Sequence, residues 1–216
     1  FVSDPRFSPD GSKVAFLLTK IDPSENCYLG DLWALDVSTH RLKQLTRRSR
    51  LRDYFWGCDG RLICWERAAE HTAVNQIDVE SGDCQELFTL PLPVNRLRPL
   101  EDGLYALTSY SGGQKDPARY HILDEAPFCS NGHGITAGRR NGLYIYSSTT
   151  GSLSKLTDDI TDVGDFVYRN GVLLYQATPW KDYLPYPYSP AFFIWNRASG
   201  AVRQLTEVGQ ISSFAL

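Results

Sequence analysis

The sequence predicts an all-β protein, a β-propeller of four-stranded antiparallel blades, with about four blades present as a partial disc. Four segments share a pattern of strand, tight turn and strand, with turn centres at residues 38–39, 81–82, 150–151 and 199–200. An Asp-Gly or Asn-Gly dipeptide precedes each segment, at 10–11, 59–60, 102–103 and 170–171. No window combines a 3.6-residue apolar period with helix caps over ten or more residues, so helices are not expected.

Each repeat is interpreted as a meander of four strands, named A to D in chain order. The Asp-Gly and Asn-Gly dipeptides tolerate positive φ angles and therefore suit primed turns between an A strand and a B strand. Apolar runs after these dipeptides predict B strands at 14–18, 62–65, 104–108 and 172–176. We place the propeller at residues 1–210, with blades at 1–46, 47–89, 90–157 and 158–206, and we place the start of a further, truncated blade at 211–216.

Three long connections, at 20–30, 110–140 and 178–190, each join a B strand to a C strand in this scheme. B–C and D–A connections share one end of a meander, so these loops are expected to crowd one face of the disc. Such a face is the expected binding or docking face of a repeat fold. The arginine-rich segment 47–52 lies in a D–A connection, where a solvated, ion-paired loop is favoured over a phosphate or acidic-partner site.

Charge and composition exclude several function classes. The chain has 22 Lys+Arg, 25 Asp+Glu and a formal net charge of −3, which supplies no long-range field for nucleic acid or anionic lipid. No apolar run approaches the roughly 18 residues of a membrane helix. We therefore expect neither a nucleic-acid partner nor a membrane. The absence of Met predicts a fragment, or a sequence from which methionines were omitted.

Neither a metal nor a cofactor is expected. The four histidines lack ligand spacing, and the five cysteines contain no C-x-x-C pair, which favours reduced, mostly structural thiols in a cytoplasmic protein. The stretch 132–137 fits G-x-G-x-x-A, but it leads into a predicted strand and not a helix, so it predicts no dinucleotide site. No serine stands in a G-x-S-x-G elbow, and no catalytic residue is predicted in this chain.

Two stretches resemble the propellers of the prolyl oligopeptidase superfamily of serine peptidases, in particular its acylaminoacyl-peptidase-like branch. D-P-R-F-S-P-D-G-S-K-V-A-F at 4–16 is similar to a blade-opening motif shared with TolB-like and tricorn-type propellers. D-E-A-P-F-C-S-N-G-H-G-I-T at 124–136 is similar to a segment of the form D-E-x-P-F-x-x-N-G-x-G-[FI]-T in that branch.

The resemblance implies a non-catalytic propeller that gates access of short peptides to an α/β-hydrolase domain of the same parent chain. The alternative is a TolB-like protein-binding module with no enzyme attached, and homo-oligomerisation stays open. Substrate or interdomain contacts are expected at Glu125, Arg139 and Arg140, and in a Pro- and aromatic-rich segment at Trp180 and Tyr183. The competing interpretation for the three charged residues is an ion pair that only stabilises the loop. For the Pro- and aromatic-rich segment, it is that the rings only cover the end of their own blade.

Overall fold

The computed structural model describes residues 1–47, 50–51, 53–112, 129–130, 134–135, 138–179 and 190–206. The regular structure in this part of the chain is entirely β-strand. The described residues accordingly include no helix of the length and apolarity needed to cross a membrane. The chain divides into two compact units, Phe1–Val94 (unit 1) and Asn95–Leu216 (unit 2).

Four sheets of four strands make up most of the described residues. Blade 1 contains β1 (Val2–Phe7), β2 (Lys13–Asp22), β3 (Cys27–Asp36) and β4 (Leu42–Gln44), and blade 2 contains β5 (Tyr54–Trp56), β6 (Leu62–Arg67), β7 (Thr72–Ile77) and β8 (Cys84–Leu90). Blade 3 contains β9 (Val94–Pro99), β10 (Leu104–Gly112), β13 (Arg139–Ser147) and β14 (Leu153–Lys155), with β11 (Cys129–Ser130) and β12 (Gly134–Ile135) inserted. Blade 4 contains β15 (Thr161–Arg169), β16 (Val172–Pro179), β17 (Ala191–Asn196) and β18 (Val202–Gln204).

Each blade is a meander, because its strands are hydrogen-bonded to one another in chain order. The strands β11 and β12 pair only with each other, between β10 and β13. The Gly134–Ile135 part of the dinucleotide-like stretch thus lies in a strand. The predicted fold class, an all-β partial propeller with four-stranded antiparallel blades, is confirmed.

The A–B turns lie at the predicted dipeptides but differ between the units. In unit 2, both residues of 102–103 and of 170–171 have positive φ, between 49° and 76°, as a type I′ turn requires. In unit 1 only the glycines, with φ of 71° and 75°, have this conformation. The unit 1 turns are longer, since backbone hydrogen bonds of 2.9 Å and 2.8 Å close them across 8–13 and 57–61. Primed turns are therefore confirmed in unit 2 and wrong in unit 1.

Each C–D turn is closed by the same type of backbone hydrogen bond, in which the N–H of the fifth turn residue donates to the carbonyl of the first. The fifth residue has positive φ in every case. In blade 1 this residue is His40 (φ 56°), so the turn is centred one residue later than the predicted 38–39. The donor and acceptor pairs are His40 to Asp36, Gly82 to Asp78, Gly151 to Ser147 and Gly200 to Asn196.

The Leu-Thr pair that ends three repeats closes the C–D hairpin. In blade 1 the Leu45 N–H donates to the Leu32 carbonyl (2.9 Å), and the Leu32 N–H donates to the Thr46 hydroxyl (2.8 Å). The D strand of blade 1 ends after three residues. The threonine hydroxyl then accepts a hydrogen bond from the C strand that a backbone carbonyl would accept in a longer D strand. The same hydroxyl bonds join Leu143 to Thr157 (3.1 Å) and Phe192 to Thr206 (2.9 Å).

The expected long connection at 20–30 is wrong. Strands β2 and β3 stay paired out to Asp22 and Cys27, and only 23–26 form the turn. The Asp22 carboxylate holds this turn by accepting hydrogen bonds from the backbone N–H groups of Ser24 (3.0 Å) and Glu25 (3.3 Å). Such side-chain caps are a recurrent way to close a tight turn. The polar character of 20–30 therefore reflects a hairpin that projects into solvent.

Each unit has a core in which two blades pack face to face. An isolated sheet of this size leaves both faces in water, whereas each fully buried aliphatic side chain contributes about 1.5–3 kcal/mol. The packing of blades therefore stabilises the individual sheets. The unit 1 core includes Ala15, Leu17, Leu32, Tyr54 and Leu62, and the unit 2 core includes Ala106, Leu143, Phe166, Leu173 and Tyr175.

Candidate functional site

In unit 2 the long B–C connections leave the sheets at one end, here named the connection end. It is formed by Gly112, Arg139, Thr161, Pro179 and Ala191. β10 and β13 are paired as far as Gly112 and Arg139, and β16 is paired with β15 as far as Pro179. Gly112 has a φ of 76°, and a Cβ at this position would overlap the carbonyl oxygen of Gly138. The two strands consequently meet at a neck that only glycine fits.

Two of the predicted contact residues lie at this neck. The guanidinium of Arg139 stacks over the Tyr110 ring, 4.2 Å from its centroid, in a cation–π contact. Arg140 is buried and donates from Nη1 to the Arg139 carbonyl (3.0 Å). The neighbouring arginines thus differ in exposure, and Arg139 presents its guanidinium on the ring of Tyr110. The other predicted contacts, at Glu125, Trp180 and Tyr183, lie outside the described residues.

A cavity of about 220 Å³ lies at the connection end of unit 2. The rings of Tyr175 and Phe193 are stacked within it, with centroids 5.4 Å apart and an interplanar angle of 17°. Burial raises the pKa of Tyr175 to about 12, with a smaller contribution from the negative charge of Asp158. The lining residues are Leu156, Thr157, Asp158, Thr161, Tyr175, Pro179, Phe193 and Val202.

Asp158 is the one charged residue among the described residues that line this cavity. It belongs to the D–A connection between β14 and β15 and is exposed. Its Oδ1 accepts a hydrogen bond from the backbone N–H of Ile160 (3.2 Å). The next residue, Asp159, instead forms an ion pair with Lys155. The cavity therefore combines an aromatic and aliphatic wall with one carboxylate.

Unit 1 has a cavity of about 350 Å³ at its corresponding end, where β2 ends and the D–A connection passes. None of the lining side chains that the structure describes carries a charge. Its backbone is tightly packed, since a Cβ on Gly30 would overlap the carbonyl oxygen of Leu51. The lining residues are Phe1, Ser3, Leu17, Thr19, Tyr28, Gly30 and Leu51.

A cleft of about 470 Å³ lies at the opposite end of unit 1. Several of the charged side chains that line it form ion pairs with one another. Lys13 of blade 1 bonds to Glu80 of blade 2 at 2.6 Å, and this contact raises the pKa of Lys13. Hydrogen bonds from Ser8 and Ser12 lower the pKa of Asp10 to about 2. These interactions serve to hold the turns and to join the two blades.

An arginine–aspartate link between blades recurs in both units and was missed from the sequence. In unit 1, Arg6 of β1 donates to Asp53 (2.7 Å), whose carboxylate also accepts from the Tyr54 N–H (2.8 Å). In unit 2, Arg96 of β9 pairs with Asp165, which accepts from the Phe166 N–H (2.7 Å). The available signal was an Asp followed by an aromatic residue, directly before the A strand β5 and inside the A strand β15.

The described groups at the connection end of unit 2 are suited to binding. The sequence has no nucleophile elbow, and the described residues contain no group of three or more His, Cys, Asp or Glu that could hold a metal ion. The connection end of unit 2 offers instead a cation on an aromatic ring, an apolar cavity and a carboxylate. These groups can recognise a ligand by shape and charge.

No protein-family model matches the chain. The uncharacterized peptidase YuxL of Bacillus subtilis (strain 168) is 23% identical over 178 residues, which are 76% of this chain and 27% of YuxL. Among solved structures, Pyrococcus horikoshii acylaminoacyl peptidase matches 96% of this chain with a TM-score of 0.71 and 12% identity, and the match covers 33% of that protein. The fold of the chain is similar to that of the matched third of this acylaminoacyl peptidase.

TolB from Acinetobacter baumannii also matches, with a TM-score of 0.58 and 15% identity, over 95% of this chain and 43% of that one. The resemblance predicted from the two sequence motifs is thereby confirmed, and both peptidase and TolB-like relatives share the fold. The chain spans about a third or less of the length of the two peptidases.

Proposed function

We propose that the chain is the non-catalytic propeller part of a serine peptidase of the prolyl oligopeptidase and acylaminoacyl-peptidase type. The match to acylaminoacyl peptidase over 96% of the chain carries this proposal. The sequence similarity to the peptidase YuxL supports it independently. In both cases most of the relative's length lies outside the match, which leaves room for an α/β-hydrolase domain in the parent protein.

In this proposal the propeller selects substrates by size. The connection end is turned toward the hydrolase domain, and the loops that leave it narrow the route to the catalytic serine. Short, flexible peptides pass, whereas folded proteins are excluded. The role requires no reacting group in the propeller, which agrees with a described surface that offers only binding groups.

The test uses the full-length parent protein and a series of acylated peptides of increasing length with the same scissile bond. We expect kcat/KM to fall steeply once the peptide exceeds the length that fits the enclosed space. The 216-residue chain alone should hydrolyse none of them. Serine-inhibitor-sensitive turnover by the 216-residue chain would refute the proposal, as would equal cleavage of short peptides and folded proteins by the parent.

A protein-binding module of the TolB type is the second candidate. The match to TolB and the blade-opening motif at 4–16 favour it. The two candidates differ in what the parent gene encodes, because only a peptidase needs a G-x-S-x-G elbow followed by Asp and His. A parent gene without that set would select the binding module.

The finer parts of the proposal concern location and contacts. The proposal includes a cytoplasmic location. It also includes contacts of the substrate or the hydrolase domain with four residues, Glu125, Arg139, Trp180 and Tyr183. Arg140 is 7% exposed and has a structural role in this scheme. Substitution Glu125→Gln in the parent enzyme should lower kcat/KM for peptides with a free amino terminus. Unchanged values would remove Glu125 from the set.

A further inference from the structure

We propose that the 220 Å³ cavity of unit 2 is a subsite for a lysine or arginine side chain of a bound peptide, with Asp158 as the charge-selecting residue. This inference rests on the proposed peptidase function. It adds a preference for cationic substrates to selection by size.

The size of the cavity fits one amino-acid side chain. About 220 Å³ corresponds to roughly seven water molecules at about 30 Å³ each, and it lies below the range of about 300–1,000 Å³ typical of sites for drug-sized ligands. The wall formed by Leu156, Pro179 and the stacked rings of Tyr175 and Phe193 is apolar. Lysine and arginine carry aliphatic stems that pack on such a wall while the charged head stays at the rim.

The charge at the rim determines which side chain fits. Asp158 uses Oδ1 for the Ile160 N–H, and a carboxylate has about four lone-pair sites, so the group can also accept from an ammonium or guanidinium. The ion pair of Lys155 is made with Asp159, the neighbouring carboxylate. A cationic ligand head would therefore meet a carboxylate that is oriented by its own backbone turn.

The cavity of unit 1 provides an internal comparison. It lies at the corresponding end of its own unit and is larger, at about 350 Å³, yet its lining residues in the described part of the chain include no charged side chain. An apolar cavity at this end of a blade pair is thus common to both units. Among the described lining residues a carboxylate is present in unit 2 and absent from unit 1, so we expect the preference for a cation in unit 2.

The experiment compares two acylated peptides that differ at one residue, lysine against its uncharged isostere norleucine, as substrates of the full-length parent enzyme. We expect a three- to fivefold higher kcat/KM for the lysine peptide, as is typical of about 1 kcal/mol from an exposed ion pair. The preference should decline at high ionic strength. It should vanish in Asp158→Asn, which keeps the oxygen that accepts from the Ile160 N–H.

The matched control is Asp159→Asn, which removes the same charge one residue away and should retain the lysine preference. Loss of the preference in both variants would indicate a general field and refute the subsite, as would equal kcat/KM for both peptides in the wild type. If the parent cleaves neither peptide, the proposed function fails. The subsite is then tested separately by titrating the same two peptides into the protein and measuring their affinities. Equal affinities for the lysine and norleucine peptides would refute the proposed cation subsite.

Discussion

Thr72 allows the strongest test of the packing between strands. It begins β7 and is fully buried. Its hydroxyl donates to the Leu92 carbonyl (2.9 Å) and accepts from the Val94 N–H (2.8 Å), so it ties the C strand of blade 2 to the chain that enters β9. Thr72→Val preserves the shape of the side chain but removes both hydrogen bonds.

The size of the effect follows from the groups left behind. A buried donor or acceptor without its partner costs about 1–3 kcal/mol; toward the lower end of that range the two groups left here cost about 2–4 kcal/mol together, and the added methyl group returns roughly 0.8 kcal/mol. We expect Thr72→Val to lower the free energy of unfolding by about 1.5–3 kcal/mol, or Tm by about 3–12 °C for a chain of this length. Thr72→Ser keeps both bonds and loses one methyl group, at about 1 kcal/mol.

The assay is urea unfolding followed by tryptophan fluorescence, with m compared among the variants. The predicted order of stability is threonine, then serine, then valine. Area burial alone gives a different order, with valine at least as stable as threonine. If Thr72→Val were as stable as the wild type, the argument from buried hydrogen bonds would be refuted.

Three further predictions concern backbone packing, pH and thiol reactivity. Gly30→Ala should destabilise unit 1 by about 2 kcal/mol or more in urea unfolding, because the new Cβ overlaps the Leu51 carbonyl oxygen and backbone must move; a neutral result would contradict that contact. The pKa of Asp10 is lowered to about 2, so its contribution to stability is complete above about pH 4 and is lost as pH falls toward 2. Asp10→Asn should therefore flatten the acid limb of the stability profile in that window, and an unchanged limb would refute the assignment. Burial raises the pKa of the Cys64 thiol to about 12, whereas Cys58 is exposed, so iodoacetamide should modify Cys58 before Cys64 in peptide mapping; equal rates would show that Cys64 is accessible.

Most of the fold was predictable from the sequence because its signals are local. Alternation of apolar residues, the Asp-Gly and Asn-Gly dipeptides and the Leu-Thr endings each involve a few neighbouring residues, and they correctly place the B strands and C–D hairpins. The errors have local causes too. A hairpin that extends into solvent looks like a loop at 20–30, and a histidine with positive φ at His40 hides the equivalence with three glycines.

The candidate site was only partly predictable. Arg139 and Arg140 were selected because they lie at the end of the long B–C connection of blade 3, and the structure separates them into a partly exposed cation over Tyr110 and a buried side chain. The cavity was not foreseen, because Asp158, Tyr175 and Phe193 come from a D–A connection, a B strand and a C strand. No spacing in the sequence connects these three positions.

The kind and order of the strands follow from patterns that a few adjacent residues complete, and a propeller of four-stranded meanders is their consequence. Contacts between blades obey no such pattern. Arg6 and Asp53 are 47 positions apart and Arg96 and Asp165 are 69 apart, so only the packing of one sheet on the next brings each pair together. The same packing, and not any motif, joins an aromatic wall to the carboxylate of Asp158 and so creates the cavity proposed to select cationic side chains.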